Sequence, residues 1–287
     1  MDQIFKYKNY ALGFREYGKP DGIPLMHFHV RGGSRFEGKF FHEKARELNI
    51  RIVCLERPGY GLSDFFKWTL KEWTEIVCAF ADTLDWDRFS VSGISGGAVH
   101  ALACAFYIHD RLKHCEVIST IGPPEYDYSD FPRSMKFALW SVNNFSLFYR
   151  LQLALERKFY RNSKKLLAMI KKNMNKMNQA EYEVYSNQDL LNIYCLEMGE
   201  GMKKSLIPMI YELALLNRSW GFDLKTLNFP LSIWHGEEDF AYKQIQRMVK
   251  DLPNAQCRFF PKQGHLSVPL LNIEEILSSI RDKVIRL

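Results

Sequence analysis

Hydrophobic residues follow two alternating rhythms along this chain. Short apolar runs of strand length recur at residues 24–29, 51–56, 89–93, 116–120, 231–234 and 255–260. Between them, residues 36–48, 72–84, 97–109, 243–252 and 273–284 have the length and periodicity of helices. That alternation predicts βαβ units and a mostly parallel sheet. Residues 4–7 and 11–17, separated by Lys8, Asn9 and Tyr10, predict an antiparallel hairpin leading into it.

The rhythm stops at Gly122-Pro123-Pro124 and resumes at Phe229-Pro230. The stretch between is helix-like, rich in Phe, Tyr, Trp, Leu and Met, and holds no convincing strand. The predicted fold is α/β: a mostly parallel central sheet flanked by helices, with residues 1–122 and 229–287 as the core and 123–228 as a helical cap. Ligands bind at the carboxyl ends of parallel strands, so an insertion there is expected to cover the site. The plainer alternative is a helical subdomain that only stabilises the core.

Composition sets several classes aside. With 47% hydrophobic residues over 287 positions, the chain can bury a large core and is not expected to be disordered. Its opening residues lack both a long apolar stretch and a small-residue cleavage site. The six cysteines are scattered without a CxxC pair, so the expectation is a cytoplasmic protein with reduced thiols and no metal site. No run approaches the roughly 20 apolar residues of a spanning helix. Neither Gly-x-Gly-x-x-Gly nor a Walker-type phosphate loop occurs, and no cofactor is expected.

The formal charge of +6 is modest and requires neither nucleic acid nor membrane as a partner. Its distribution is less even. Between Arg157 and Lys176 lie Arg157, Lys158, Arg161, Lys164, Lys165, Lys171, Lys172 and Lys176, with no acid among them. They interleave with Leu166, Leu167, Met169, Ile170 and Met174. A solvated helix face is the plainer reading; peripheral contact with an anionic membrane is the alternative.

The main chemical signal is Gly93-x-Ser95-x-Gly97, which follows an apolar strand and opens a helical pattern. A sharp strand-to-helix turn strains the backbone of the serine, and glycines on either side relieve clashes with neighbouring elements. A free serine is a weak nucleophile and needs a histidine to take its proton and an acid to orient that histidine. His265, just past the last strand-like run, is the best placed of eight histidines. His27, His29, His42, His100, His109 and His114 read more simply as structural. Asp239, immediately beyond the run at 231–234, is the favoured acid; Glu237, Glu238 and Asp127 are its rivals. Developing negative charge on a carbonyl oxygen needs N–H donors. The backbone of Gly96 is the first candidate, and that of Arg31, in the loop after an early strand, is the second. The Arg31 side chain either faces substrate or lies exposed.

Taken together these residues resemble the α/β-hydrolase superfamily, in its capped esterase-like and aminopeptidase-like branch with a helical insertion after the sixth core strand. The resemblance covers nearly the whole chain. Besides the elbow it rests on Glu56-Arg-Pro-Gly-Tyr-Gly-Leu-Ser-Asp64, similar to the family's D-R-P-G-Y-G-x-S-D segment. It also rests on the His-Gly-Glu-Glu-Asp239 loop, similar to H-G-x-x-D, and on Gly264-His265. The usual H-G-x-P-G-S oxyanion loop appears here as His29-Val-Arg-Gly-Gly-Ser34. Valine resists positive φ, so a different loop path is expected. Phe240 and Ala241 stand where relatives often carry Val-Pro after the acid.

The resemblance implies a Ser95–His265–Asp239 triad and a serine esterase acting on a small or medium acyl compound without a cofactor. Two alternatives stand beside it. One is an aminopeptidase of the proline-iminopeptidase kind, with Glu197, Glu200 or Glu212 holding a substrate ammonium. The other is a non-catalytic ligand-binding protein on the same fold. Phe137, Trp140, Phe145, Phe148 and Met209 either line an apolar pocket or form the core of the cap.

Overall fold

The computed structural model describes residues 1–160, 162–172 and 177–285. Its eight strands are β1 (Gln3–Tyr7), β2 (Tyr10–Gly18), β3 (Ile23–Phe28), β4 (Ile50–Leu55), β5 (Phe89–Ile94), β6 (Leu112–Ile118), β7 (Leu231–Gly236) and β8 (Ala255–Phe260). They form one sheet in the order β1-β2-β4-β3-β5-β6-β7-β8. β1, β2 and β4 pair antiparallel, and every pairing from β4 through β3 to β8 is parallel.

The six apolar runs correspond to β3 through β8. Agreement is loosest at β6, which begins four residues before the run at 116–120. Its first half carries Lys113 and His114, and His114 is buried because its Nε2 lies 2.9 Å from Glu116 and 3.1 Å from Ser232. A polar pair satisfied inside the sheet hides a strand from a hydrophobicity pattern.

Helices that cover the sheet include α1 (His42–Glu47), α2 (Leu70–Thr83), α3 (Gly96–Tyr107) and, last in the chain, α12 (Ile273–Ile285). Alternation along β3 assigns the two faces. Leu25 and His27 share a cavity wall with Ile276 and Ile280 of α12. Phe28 meets Trp73 of α2 edge-on at 5.4 Å. The helical pattern at 36–48 is broken at Phe41, which separates a 3₁₀ turn at Arg35–Phe40 from α1.

Between β6 and β7 run α4 (Arg133–Asn144), α5 (Ser146–Tyr160), α6 (Ser163–Lys172), α7 (Gln179–Ser186), α8 (Gln188–Gly201) and α9 (Ile207–Leu216). After β7 come α10 (Tyr242–Met248) and α11 (Ser267–Leu271). Among the described residues the insertion after the sixth strand holds no strand, and no helix is long and apolar enough to cross a membrane.

Candidate active site

β5 enters α3 through Ser95, whose φ of 56° and ψ of −117° lie outside the regions open to most side chains. A Cβ at Gly93 would fall 2.3 Å from the Gly97 carbonyl oxygen, and one at Gly97 only 2.0 Å from that of Phe28. Glycine is the residue that fits either position, which gives the Gly-x-Ser-x-Gly spacing its physical content. The Ser95 N–H donates to Ile118 O on β6 at 2.9 Å, tying the elbow to the sheet. The Ser95 side chain caps no backbone N–H and is half-buried.

Beyond β7 the chain passes exposed Glu237 and Glu238 before reaching Asp239, whose carboxylate is buried. Oδ1 accepts from the Ala241 N–H at 2.8 Å, and Oδ2 lies 2.6 Å from His265 Nδ1. With Asp239 accepting, the ring proton belongs on Nδ1 and Nε2 is free as an acceptor. The rival Asp127 is exposed and accepts from Ser129 instead.

Burial pushes the Asp239 carboxyl up, but the charges of His265 and His235 and two hydrogen bonds outweigh it and hold the group below its usual range. Burial likewise depresses His265, yet Asp239 and then Glu181 raise it above the ordinary imidazole range. His235, buried behind Asp239 with Nε2 3.8 Å from Oδ1, is driven down to about 4 by burial and stays neutral near pH 7.

No hydrogen bond joins Ser95 to His265 among the described residues. Their loops nevertheless meet: Ile94 and Leu266, the residues beside them, line one cavity with Val30. It measures about 10 Å³, room for roughly one water.

The loop after β3 turns at Val30–Gly33, where the Gly33 N–H donates to Val30 O at 3.0 Å. The positive φ falls on Gly32, at 91°, and not on Val30. This is the pattern of a type II turn, and it accommodates the valine without strain. A Cβ at Gly96 would lie 3.2 Å from that of Arg31, so the backbones at 31 and 96 adjoin. The Arg31 guanidinium is turned into the helical insertion, where Nη1 donates to the Tyr149 hydroxyl at 2.7 Å.

Sequence reasoning missed what supports this loop. Arg57 donates to His29 O at 2.7 Å and Val30 O at 3.1 Å, and pairs with buried Glu212 of α9 at 2.9 Å. The Tyr60 hydroxyl also donates to Glu212, at 2.5 Å. Of the other acids considered for an ammonium, Glu200 lies 3.0 Å from Arg35. Glu197 is pushed far above the carboxylate range, first by burial and then by Glu37 beside it.

A second support also comes from the insertion. Asn178 caps α7 by accepting from the Glu181 N–H at 2.7 Å. Asn178-x-x-Glu181 has the spacing of a capping box, in which the acid would reach back to the cap. Here it reaches outward: Glu181 Oε1 accepts from Leu266 N at 2.9 Å, Ser267 N at 2.7 Å and Ser267 Oγ at 2.8 Å. Those are the residues that follow His265.

Of the five side chains considered for an apolar pocket, only Met209 adjoins the site. Its Cε and that of Met198 would each come within 2.9 Å of a Cβ at Gly32, so the two methionines roof the Arg31 loop. Phe137, Trp140, Phe145 and Phe148 are instead about half exposed or more, neither pocket nor core. Helical spacing marks a face, and does not say whether anything covers it.

No family model and no curated protein sequence matches the chain. Solved structures do match it over nearly its whole length. A bromoperoxidase from Bacillus anthracis is 16% identical at a TM-score of 0.69, covering 99% of each chain. An α/β-hydrolase-fold protein from Chitinophaga pinensis is 15% identical at 0.68, covering 98% of this chain and 95% of that one. Est816, described as an N-acyl homoserine lactone degrading enzyme, is also 15% identical at 0.68, covering 98% and 99%. What these proteins share with this chain from end to end is the path of the backbone, and that path is the α/β-hydrolase fold.

Proposed function

We propose that the protein is a serine hydrolase that cleaves a small or medium carboxylic ester through an acyl-enzyme. The observation that most supports this reading is the 2.6 Å bond from His265 Nδ1 to buried Asp239, in a fold whose elbow carries strained Ser95. The fold alone does not choose the chemistry, since a bromoperoxidase shares it. The neighbour described as an N-acyl homoserine lactone degrading enzyme acts on a compound that contains a cyclic ester, in keeping with the class of substrate proposed.

In this mechanism Ser95 Oγ attacks the ester carbonyl carbon while its proton passes to His265 Nε2. The carbonyl π pair moves onto oxygen, and the N–H groups of Gly96 and Arg31 receive the resulting charge. Asp239 stabilises the imidazolium and fixes its orientation. Collapse expels the alcohol, which takes the proton from His265 and leaves the acyl group on Ser95. Water, deprotonated by the same imidazole, then releases the acid and restores the serine. The first proton transfer needs Ser95 Oγ within hydrogen-bond reach of His265 Nε2, a contact that tightens in such sites when substrate binds.

The aminopeptidase reading is disfavoured. Glu200 and Glu212 each engage an arginine, and burial beside Glu37 pushes the Glu197 carboxyl far above the carboxylate range, which disfavours all three as partners for a substrate ammonium. The test is labelling with a fluorescent fluorophosphonate and turnover of p-nitrophenyl esters of increasing chain length, beside Ser95→Ala. Both signals are expected in the wild type and absent from the variant. A folded wild type that neither labels nor turns over would overturn the proposal in favour of ligand binding without catalysis.

A further inference from the structure

We infer that the α4–α5 hairpin and the basic face that continues from it into α6 form a docking surface for an anionic lipid bilayer. The inference does not depend on the hydrolytic reading, and it starts from the two faces of α5. Tyr149 and Leu153, one turn apart, are buried against the rest of the protein. Leu147, Leu151 and Leu155, also at intervals of four, are 56–66% exposed on another face. A helix apolar on opposite sides is normally enclosed, whereas this one lies at the surface.

The exposed leucines do not stand alone. Phe137, Trp140, Phe145 and Phe148 form a chain of ring contacts at 5.8, 5.4 and 6.2 Å, joining the end of α4 to the start of α5. All four rings are 50–61% exposed. Leu147 and Arg150 also line an adjoining groove of about 580 Å³ with Phe65 and Ile207, so the apolar surface continues past the hairpin. Scattered single apolar residues are ordinary on a protein surface, but a contiguous patch of this kind marks an interaction site.

Charge identifies the occupant. Between Asp130 and Glu181 the sequence carries eleven Lys and Arg and one acid, Glu156, a formal charge of +10 in a chain of +6. The remainder of the protein is therefore at −4. Arg161 and Lys176 of this set, with Met174, lie outside the described residues. Arg150, Lys158, Lys164, Lys165, Lys171 and Lys172 are exposed, and none has a carboxylate partner among the described residues. Aromatic and leucine side chains on a strongly basic helical surface suit the boundary of an anionic membrane: rings and leucines enter the acyl region while the lysines meet lipid phosphates. A second copy of the chain fits poorly, because a self-complementary contact would bring two such basic surfaces together.

The full-length protein is tested by co-sedimentation with vesicles of phosphatidylcholine alone and of phosphatidylcholine with about one third phosphatidylserine, at low and high salt. Expected is binding to the anionic vesicles at least tenfold stronger than to neutral ones, weakening as salt rises. Two variants at exposed positions, Trp140→Ser with Phe148→Ser, and Lys164→Glu with Lys165→Glu, Lys171→Glu and Lys172→Glu, should each weaken it at least tenfold. Circular dichroism and the thermal midpoint report whether each remains folded. Absence of binding to anionic vesicles at low salt overturns the inference, as does binding that folded variants leave unchanged. Self-association abolished by the aromatic variant, without vesicle binding, would assign the surface to a second copy instead.

Discussion

Replacing Glu181 tests whether the helical insertion holds His265, the base of the proposed mechanism, in place. One oxygen of this side chain accepts from two backbone N–H groups and one hydroxyl, at 2.7–2.9 Å, on the two residues that follow His265. In Glu181→Ala all three donors lose a charged acceptor at a partly buried position. Water can replace some of these bonds, so the expected loss of stability is about 1–3 kcal/mol and not the sum of three. The larger effect is on position. A displacement on the order of 1 Å at a catalytic group costs up to roughly 100-fold, so kcat/KM for a soluble ester should fall about 10- to 100-fold. Glu181→Gln keeps a carbonyl oxygen for the same donors and should retain most activity. It removes the negative charge that helps raise His265. In the proposed mechanism the base is neutral imidazole, so lowering its pKa shifts the acidic limb of the kcat/KM profile to lower pH. Wild-type kcat/KM in Glu181→Ala, or an acidic limb in Glu181→Gln that stays put or moves upward, would refute the assignment of Glu181 as a positioning residue.

Three further outcomes follow from the geometry. Ser95→Gly should abolish turnover and raise stability by roughly 1 kcal/mol in urea melts, because glycine accepts the φ of 56° without strain; a destabilised variant would count against strain at the elbow. Gly97→Ala should fail to accumulate as folded protein, or lose at least about 3 kcal/mol, since its Cβ meets backbone and not a movable side chain; soluble expression with a wild-type thermal midpoint would contradict this. Met209→Ala should shift the preferred p-nitrophenyl ester toward longer acyl chains by opening the roof over the Arg31 loop, and an unchanged chain-length profile would place the acyl group elsewhere.

Much of this fold was legible in the sequence because the inner parallel strands, such as β4, β5 and β7, are buried on both faces and read as continuous apolar runs. The elbow was legible for a different reason: Gly93 and Gly97 leave no room for a Cβ, so steric demand writes itself into residue identity. Asp239 and His265 were singled out by their places after β7 and β8, and the fold brings Asp239 Oδ2 to 2.6 Å from His265 Nδ1. Hydrophobic patterning was a poorer guide at β6, where buried His114 and Glu116 satisfy each other.

What the sequence by itself determined was the order of elements and the residue types that the elbow and the loops after the strands require, because both are local constraints. Tertiary structure decided the rest. Glu181 looks like half of a capping box until its helix is seen against the loop of His265, and Glu212 looks available until Arg57 and Tyr60 meet it. The four aromatic residues of the α4–α5 hairpin have core-like spacing, yet among the described residues no element buries them. Periodicity fixes which side chains share a face of a helix; which face is covered depends on contacts between segments far apart in the chain, and those exist only once the chain has folded.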